Sequence, residues 1–106
     1  MLFTPGNTYQ LASDMTATGV TSVTDAGQVT VWSMVFIWTG TPTGAVKVQA
    51  SPDQTTWTDL PGSSQVTGGT DGSHTVNYSG SGHRYLRGSL DLSSGTISLA
   101  VKWTGK

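Results

Sequence analysis

The sequence predicts an all-β fold, an antiparallel sandwich of jelly-roll or immunoglobulin-like topology, and three observations lead there. Short segments of alternating apolar and polar residues recur along the 106 residues, each bounded by Gly, Pro, Asp or Ser. The segments are rich in Thr, Val, Trp and Tyr, whose side chains suit a pleated surface. No segment repeats its apolar residues at a helical period, and Thr, Ser, Gly and Val are poor helix formers.

Residues 1–15 read as an extended arm with a turn at Pro5-Gly6-Asn7 and with Phe3, Tyr9, Leu11 and Met15 as its sizeable anchors. Such an arm can complete its own sheet or reach onto a neighbour. Residues 16–106 form one sandwich domain, since a chain of this length has room for a single modest core. Thr16 to Thr24 is a weak strand with little to bury, and Asp25-Ala26-Gly27 turns the chain into the most apolar stretch, Gln28 to Thr39. There Trp32, Met34, Phe36 and Trp38 share one face and Val29, Val31, Val35 and Ile37 the other. A sandwich strand has one face on the core, so the first set is expected to fill it. The second set then awaits a cover, either a partner or the arm.

Gly40-Thr41-Pro42-Thr43-Gly44 closes this strand. Val46, Val48 and Ala50 then alternate inward against Ala45, Lys47 and Gln49. Ser51-Pro52-Asp53-Gln54 turns the chain, with Pro where its fixed φ is wanted, and Thr56 to Leu60 returns. Residues 63–73 read as loop with an extended piece around Val66. His74 to Tyr78 makes a short strand, ended by Gly80-Ser81-Gly82. His83 to Leu92 carries Leu86, Leu90 and Leu92 on one face, thinned by Gly88. Ser93-Ser94-Gly95 fits a hairpin turn, and the last strand points Ile97, Leu99, Val101 and Trp103 inward.

Charged residues are only 10% of the chain, against roughly 25% in an average soluble domain. Ser, Thr and Gly take their place, so the surface is neutral and hydroxyl-rich. The five cations Lys47, Arg84, Arg87, Lys102 and Lys106 are scattered, which leaves nothing to neutralise a run of phosphates, so no nucleic-acid partner is expected. No apolar run approaches the roughly 20 residues of a membrane helix, and the first residues lack the basic flank and apolar core of a signal peptide. The expectation is a protein made in a cytoplasm, without a membrane partner. There is no cysteine, hence no disulfide.

Chemistry is scarce. The six acids Asp14, Asp25, Asp53, Asp59, Asp71 and Asp91 fall mostly at turns, where their side chains bond local backbone. His74 and His83 flank one loop without the further ligands a metal needs, and read as exposed imidazoles. No nucleophile elbow surrounds any Ser. Neither an enzyme nor a cofactor or metal site is expected. Ser51-Pro52-Asp53-Gln54-Thr55-Thr56-Trp57 resembles a shortened Asp-box, a hairpin pattern in which Ser and Asp bond the turn backbone over a packed Trp. It is one residue short and lacks the Gly, and the resemblance implies a structural turn held by Asp53. Four tryptophans raise a carbohydrate alternative, because flat rings stack on sugars. Burying one ring is worth roughly 4–6 kcal/mol as an upper bound, so Trp32, Trp38 and Trp103 are expected in the core. Trp57, after its turn, is the expected exception, with Tyr85 as a second glycan-contact candidate.

Trp38-Thr39-Gly40-Thr41-Pro42-Thr43-Gly44, followed by Val46, Val48, Gln49, Ser51, Asp53 and Trp57, resembles a pattern of small β-sandwich proteins of bacteriophage virions. These are decoration, head-fibre, spike or tail-associated modules, and His83-Arg84-Tyr85-Leu86-Arg87 is similar to their R-Y-x-R strand. The likeness spans roughly residues 28–103. It implies a structural virion protein that forms a homo-oligomer or joins other virion proteins, with a host glycan as a further partner. The residues point the same way: Val29, Val31, Val35 and Ile37 form the expected interface, and a sheet poor in Lys lacks the usual protection of its edges.

Overall fold

The computed structural model describes residues 8–27, 29–79 and 84–105, and among these the chain forms ten strands and no helix. In chain order they are β1 (Thr8–Met15), β2 (Gly19–Val20), β3 (Thr24–Asp25), β4 (Val31–Gly40), β5 (Thr43–Ser51), β6 (Thr58–Asp59), β7 (Gln65–Val66), β8 (Gly72–Ser79), β9 (Tyr85–Ser94) and β10 (Ile97–Gly105). All pairs are antiparallel. The first sheet runs β1-β10-β4-β8; the second runs β2-β9-β5-β6, with β3 also on β9 and β7 also on β5.

The strand order decides between the two expected topologies. With β2/β3 and β6/β7 each taken as one broken strand, eight strands remain. They visit the sheets in the order first, second, first, second, second, first, second, first, and the first strand pairs with the last. That is a jelly roll. An immunoglobulin sandwich would keep its two opening strands in one sheet.

The core lies where the alternation places it. Trp32, Met34, Phe36 and Trp38 on β4, Leu99, Val101 and Trp103 on β10, Val46 and Val48 on β5, and Leu86 and Leu90 on β9 are all buried. At the thin point, Gly88, the facing sheet comes close: a Cβ there would stand 3.0 Å from the Phe36 ring and 3.1 Å from Thr21 Cγ2. The Phe36 ring fills the volume a side chain at Gly88 would need.

Of the two courses open to the arm, residues 8–15 take the first and complete the chain's own sheet as β1, the edge strand beside β10, with Leu11 buried and Tyr9 and Met15 packed on the core; residues 1–7, with Phe3 and the turn at Pro5, lie outside the described residues. Two expectations change. Ser93-Ser94-Gly95 is no hairpin, because β9 and β10 belong to different sheets. The tight turn crosses the sandwich instead, with Gly95 at φ 82°. There a Cβ would stand 2.0 Å from the Thr41 carbonyl oxygen of the other crossing. Val29 does not join the outer face of β4. It precedes the strand, its N–H bonds the Ala26 carbonyl at 3.1 Å, and this turn drops its side chain into the core at 6% exposure. The neighbouring Gln28 and the breaker Gly80-Ser81-Gly82, with His83, lie outside the described residues.

The two broken strands give some of the Ser and Thr residues a structural role. Thr18 Oγ1 accepts from Leu92 N–H at 2.9 Å, and Thr21 Oγ1 accepts from Gly88 N–H at 2.9 Å, so hydroxyls take the place of ladder bonds along β9. On the opposite edge, buried Ser63 Oγ accepts from Val48 N–H at 3.0 Å and donates to Leu60 C=O at 2.7 Å. Thr67 Oγ1 donates to Pro42 C=O at 2.9 Å. Both margins of the second sheet are thereby laced by side chains between short paired pieces.

Candidate interaction surfaces

The outer face of the first sheet centres on β4. Val31 and Ile37 are 46% and 43% exposed, and Val35 between them is half-buried. In register beside them stand Thr104, Lys102, Ala100 and Ser98 on β10, and Ser79, Asn77, Thr75 and Ser73 on β8. The field around this short apolar line is hydroxyl and amide: Ser33 bonds Asn77 at 2.7 Å, Thr8 bonds Thr104 at 2.8 Å, and Ser98 donates to Asp14 at 2.6 Å. Lys102 is the lone cation among the described residues of this face. β1 lies beside β10 in the sheet and covers none of the line. Of the four residues expected there, the structure brings Val31, Val35 and Ile37 together and removes Val29.

The outer face of the second sheet is charged and aromatic. It is built on the turn Ser51–Trp57, which closes as an Asp-box would. Asp53 Oδ1 accepts from Thr55 N–H at 2.8 Å, from Thr56 N–H at 2.9 Å and from Ser51 Oγ at 3.1 Å, while Ser51 Oγ accepts from Gln54 N–H at 2.9 Å. The backbone donors of Thr56 and Thr55 hold the Asp53 carboxyl below the usual carboxylate range. Gln54 sits at φ 65°, in the left-handed conformation that is uncommon outside Gly. Trp57 folds back to donate Nε1–H to the Gln54 carbonyl at 3.3 Å.

Above this turn runs a cross-strand chain. Arg87 Cζ lies 4.0 Å from the centroid of the Trp57 ring, and Arg87 Nε donates to Gln49 Oε1 at 2.9 Å. Gln49 Nε2 donates to Asp59 Oδ1 at 3.1 Å, and Lys47 Nζ reaches Asp59 Oδ2 at 3.0 Å. Gln49 and then Lys47 hold the Asp59 carboxyl low, and burial lowers the Arg87 guanidinium from its ordinary value. Tyr85 lies two residues along β9 on the same face, with Arg84 Cζ 5.1 Å from its centroid and Arg84 paired to Asp25 at 3.6 Å. Both candidate glycan contacts are thus half-buried on one face, each with a guanidinium against its ring. Sequence reading found the rings and missed the chain of Arg87, Gln49, Asp59 and Lys47. The outward alternation of Lys47 and Gln49 was a signal, but only the register joins them to β6 and β9.

The remaining polar groups serve the frame. His74 is not an exposed imidazole: it is half-buried, stacks on Phe36 at 6.1 Å and donates Nε2–H to Ser63 C=O at 2.9 Å. Asp25 accepts from Gly27 N–H at 3.0 Å, a local turn role, whereas Asp71 accepts from Gly40 N–H at 2.8 Å and so ties its loop to the end of β4. Among the described residues no three His or Asp side chains come together as metal ligands.

No family model matches the chain, and no curated protein matches it. Several solved structures share its fold, among them these two. The crystal structure of the SPBc2 prophage-derived protein YomS superposes with a TM-score of 0.64 over 96% of each chain at 10% identity. A structure described as "CBM4 structure and function" superposes with a TM-score of 0.52 at 14% identity, over 82% of this chain and 61% of that one. The fold is that of a β-sandwich found in a prophage-derived protein.

Proposed function

We propose that the chain is a structural protein of a bacteriophage virion, made in the host cytoplasm. It acts by packing the outer face of its first sheet against other copies or against the shell. One observation carries this reading: Val31, Val35 and Ile37 form an apolar line on a sheet face that none of the described residues covers. The full-length likeness to a prophage-derived protein supports the phage setting. Val35→Lys places a charge at the centre of that line and leaves the core untouched. Sedimentation velocity of the variant should show association weakened about tenfold or more, with an unchanged melting curve. Equal sedimentation of the two proteins would count against the face.

A carbohydrate-binding module is the second reading, favoured by Trp57 and Tyr85 on the second sheet and by the fold likeness to the CBM4 structure. It ranks lower because the guanidinium of Arg87 occupies the ring face of Trp57 that a sugar would share.

A further inference from the structure

The sandwich has four sheet edges, and three are defended. The β1 edge is kinked by register shifts between Gln10 and Ala12 and between Ala12 and Met15, and it carries Asp14. The β2/β3 and β6/β7 edges are broken into two-residue pieces whose gaps are filled by Thr18, Thr21, Ser63 and Thr67. The fourth edge, β8, has none of these devices. Its eight residues pair with β4 without a shift, from Val31 opposite Ser79 to Trp38 opposite Gly72. Its sequence GSHTVNYS contains no Pro, Lys, Arg, Asp or Glu. Among the described residues no backbone group outside β4 bonds to it.

We infer that β8 is a pairing edge and that its partner is β8 of a second copy, joined antiparallel about a two-fold axis perpendicular to the sheet. A strand edge offers a row of N–H and C=O groups that only another strand satisfies in full. The occupant follows from the strand itself. Two-fold pairing sets a strand against its own reverse, and β8 survives that operation because its outward residues Ser73, Thr75, Asn77 and Ser79 are neutral, so no like charges meet. An axis perpendicular to the sheet also keeps both outer faces on one side. The four-stranded sheets become one of eight strands, and the lines Val31, Val35, Ile37 of the two copies lie on a common surface. This rests on the assembly reading above and adds to it a contact made by edge rather than by face.

The test is amide hydrogen exchange of the full chain across a concentration series, beside sedimentation equilibrium. Wild-type β8 amides should become protected as concentration rises, together with a dimer. Thr75→Lys, which puts a cation mid-edge, should weaken that dimer about tenfold or more and return the β8 amides to fast exchange. Val35→Lys should leave β8 protection intact. Amides of β8 that exchange equally fast at every concentration overturn the edge contact, and this wild-type measurement decides even if Thr75→Lys fails to fold. Loss of association in Val35→Lys with β8 open throughout would leave the face reading standing and the edge contact fallen. Protected β8 with no effect of Val35→Lys on any association would do the reverse.

Discussion

Trp57 is the tryptophan on which the two functional readings divide. Trp32, Trp38 and Trp103 are at most 3% exposed, and Trp38 donates Nε1–H to Thr70 C=O at 3.0 Å, so their rings belong to the core. Trp57 is held under Arg87 by a turn whose hydrogen bonds are all local. Acrylamide should therefore quench one accessible component of the emission, and Trp57→Phe should remove it. If the chain has no glycan site at Trp57, neutral and acidic oligosaccharides leave that component unchanged. Protection of it by a saccharide would show that Arg87 yields its place, and would favour the carbohydrate reading. That Trp57 is the ring left outside the core could be read from the sequence, because it follows a turn pattern that ends a strand. That a guanidinium faces it could not, since Arg87 is thirty residues away and meets it only through the registers of β5 with β6 and β9.

At the scale of the element, what alternates was legible and what is laced was not. β4, β5, β8, β9 and β10 each set one face on the core, so their inward residues stand out at every second position. The pieces β2, β3, β6 and β7 have no such pattern, because hydroxyl side chains in the intervening segments hold them to the sheet. Residues that fit a hairpin at Ser94-Gly95 fit a sheet crossing equally well, and turn chemistry alone does not separate them. Ser63 gives the clearest test of the lacing. It is 1% exposed, and Ser63→Ala would leave the Val48 N–H of a central strand without an acceptor. A buried donor left unsatisfied costs about 1–3 kcal/mol. Urea denaturation should show the midpoint lowered accordingly, with an unchanged slope. A midpoint within experimental error of wild type would mean that the β5 margin is held by Thr67 and the Leu60 N–H bond to Val48 C=O without help from the hydroxyl.

The whole molecule carries few charges, and its side-chain acids are all Asp. At pH 7 the net charge is -1, and full protonation of the six Asp and two His would take it to +7, five Lys and Arg plus two His. Self-repulsion then rises in a chain proposed to assemble through neutral surfaces. Two carboxyls also tie folding to pH. Asp53 and Asp59 are both held below their ordinary value of 3.8 in the fold, by backbone donors of Thr56 and Thr55 and by Gln49 and Lys47 respectively. A folded pKa below the unfolded one contributes stability that is present above the unfolded value and lost as pH falls through the folded one. The melting temperature should therefore stay level from neutral pH down to the usual Asp range and fall beneath it. Asp53→Asn separates the local effect from the global charge: the amide oxygen can still accept from Thr55 and Thr56, but without a charge to lose. The variant should be the less stable protein at pH 7, and the gap should narrow as the pH drops below that of ordinary Asp titration. A gap that stays constant through this window would place the acid response in net charge alone, and would leave the Asp53 turn as shape without charge assistance.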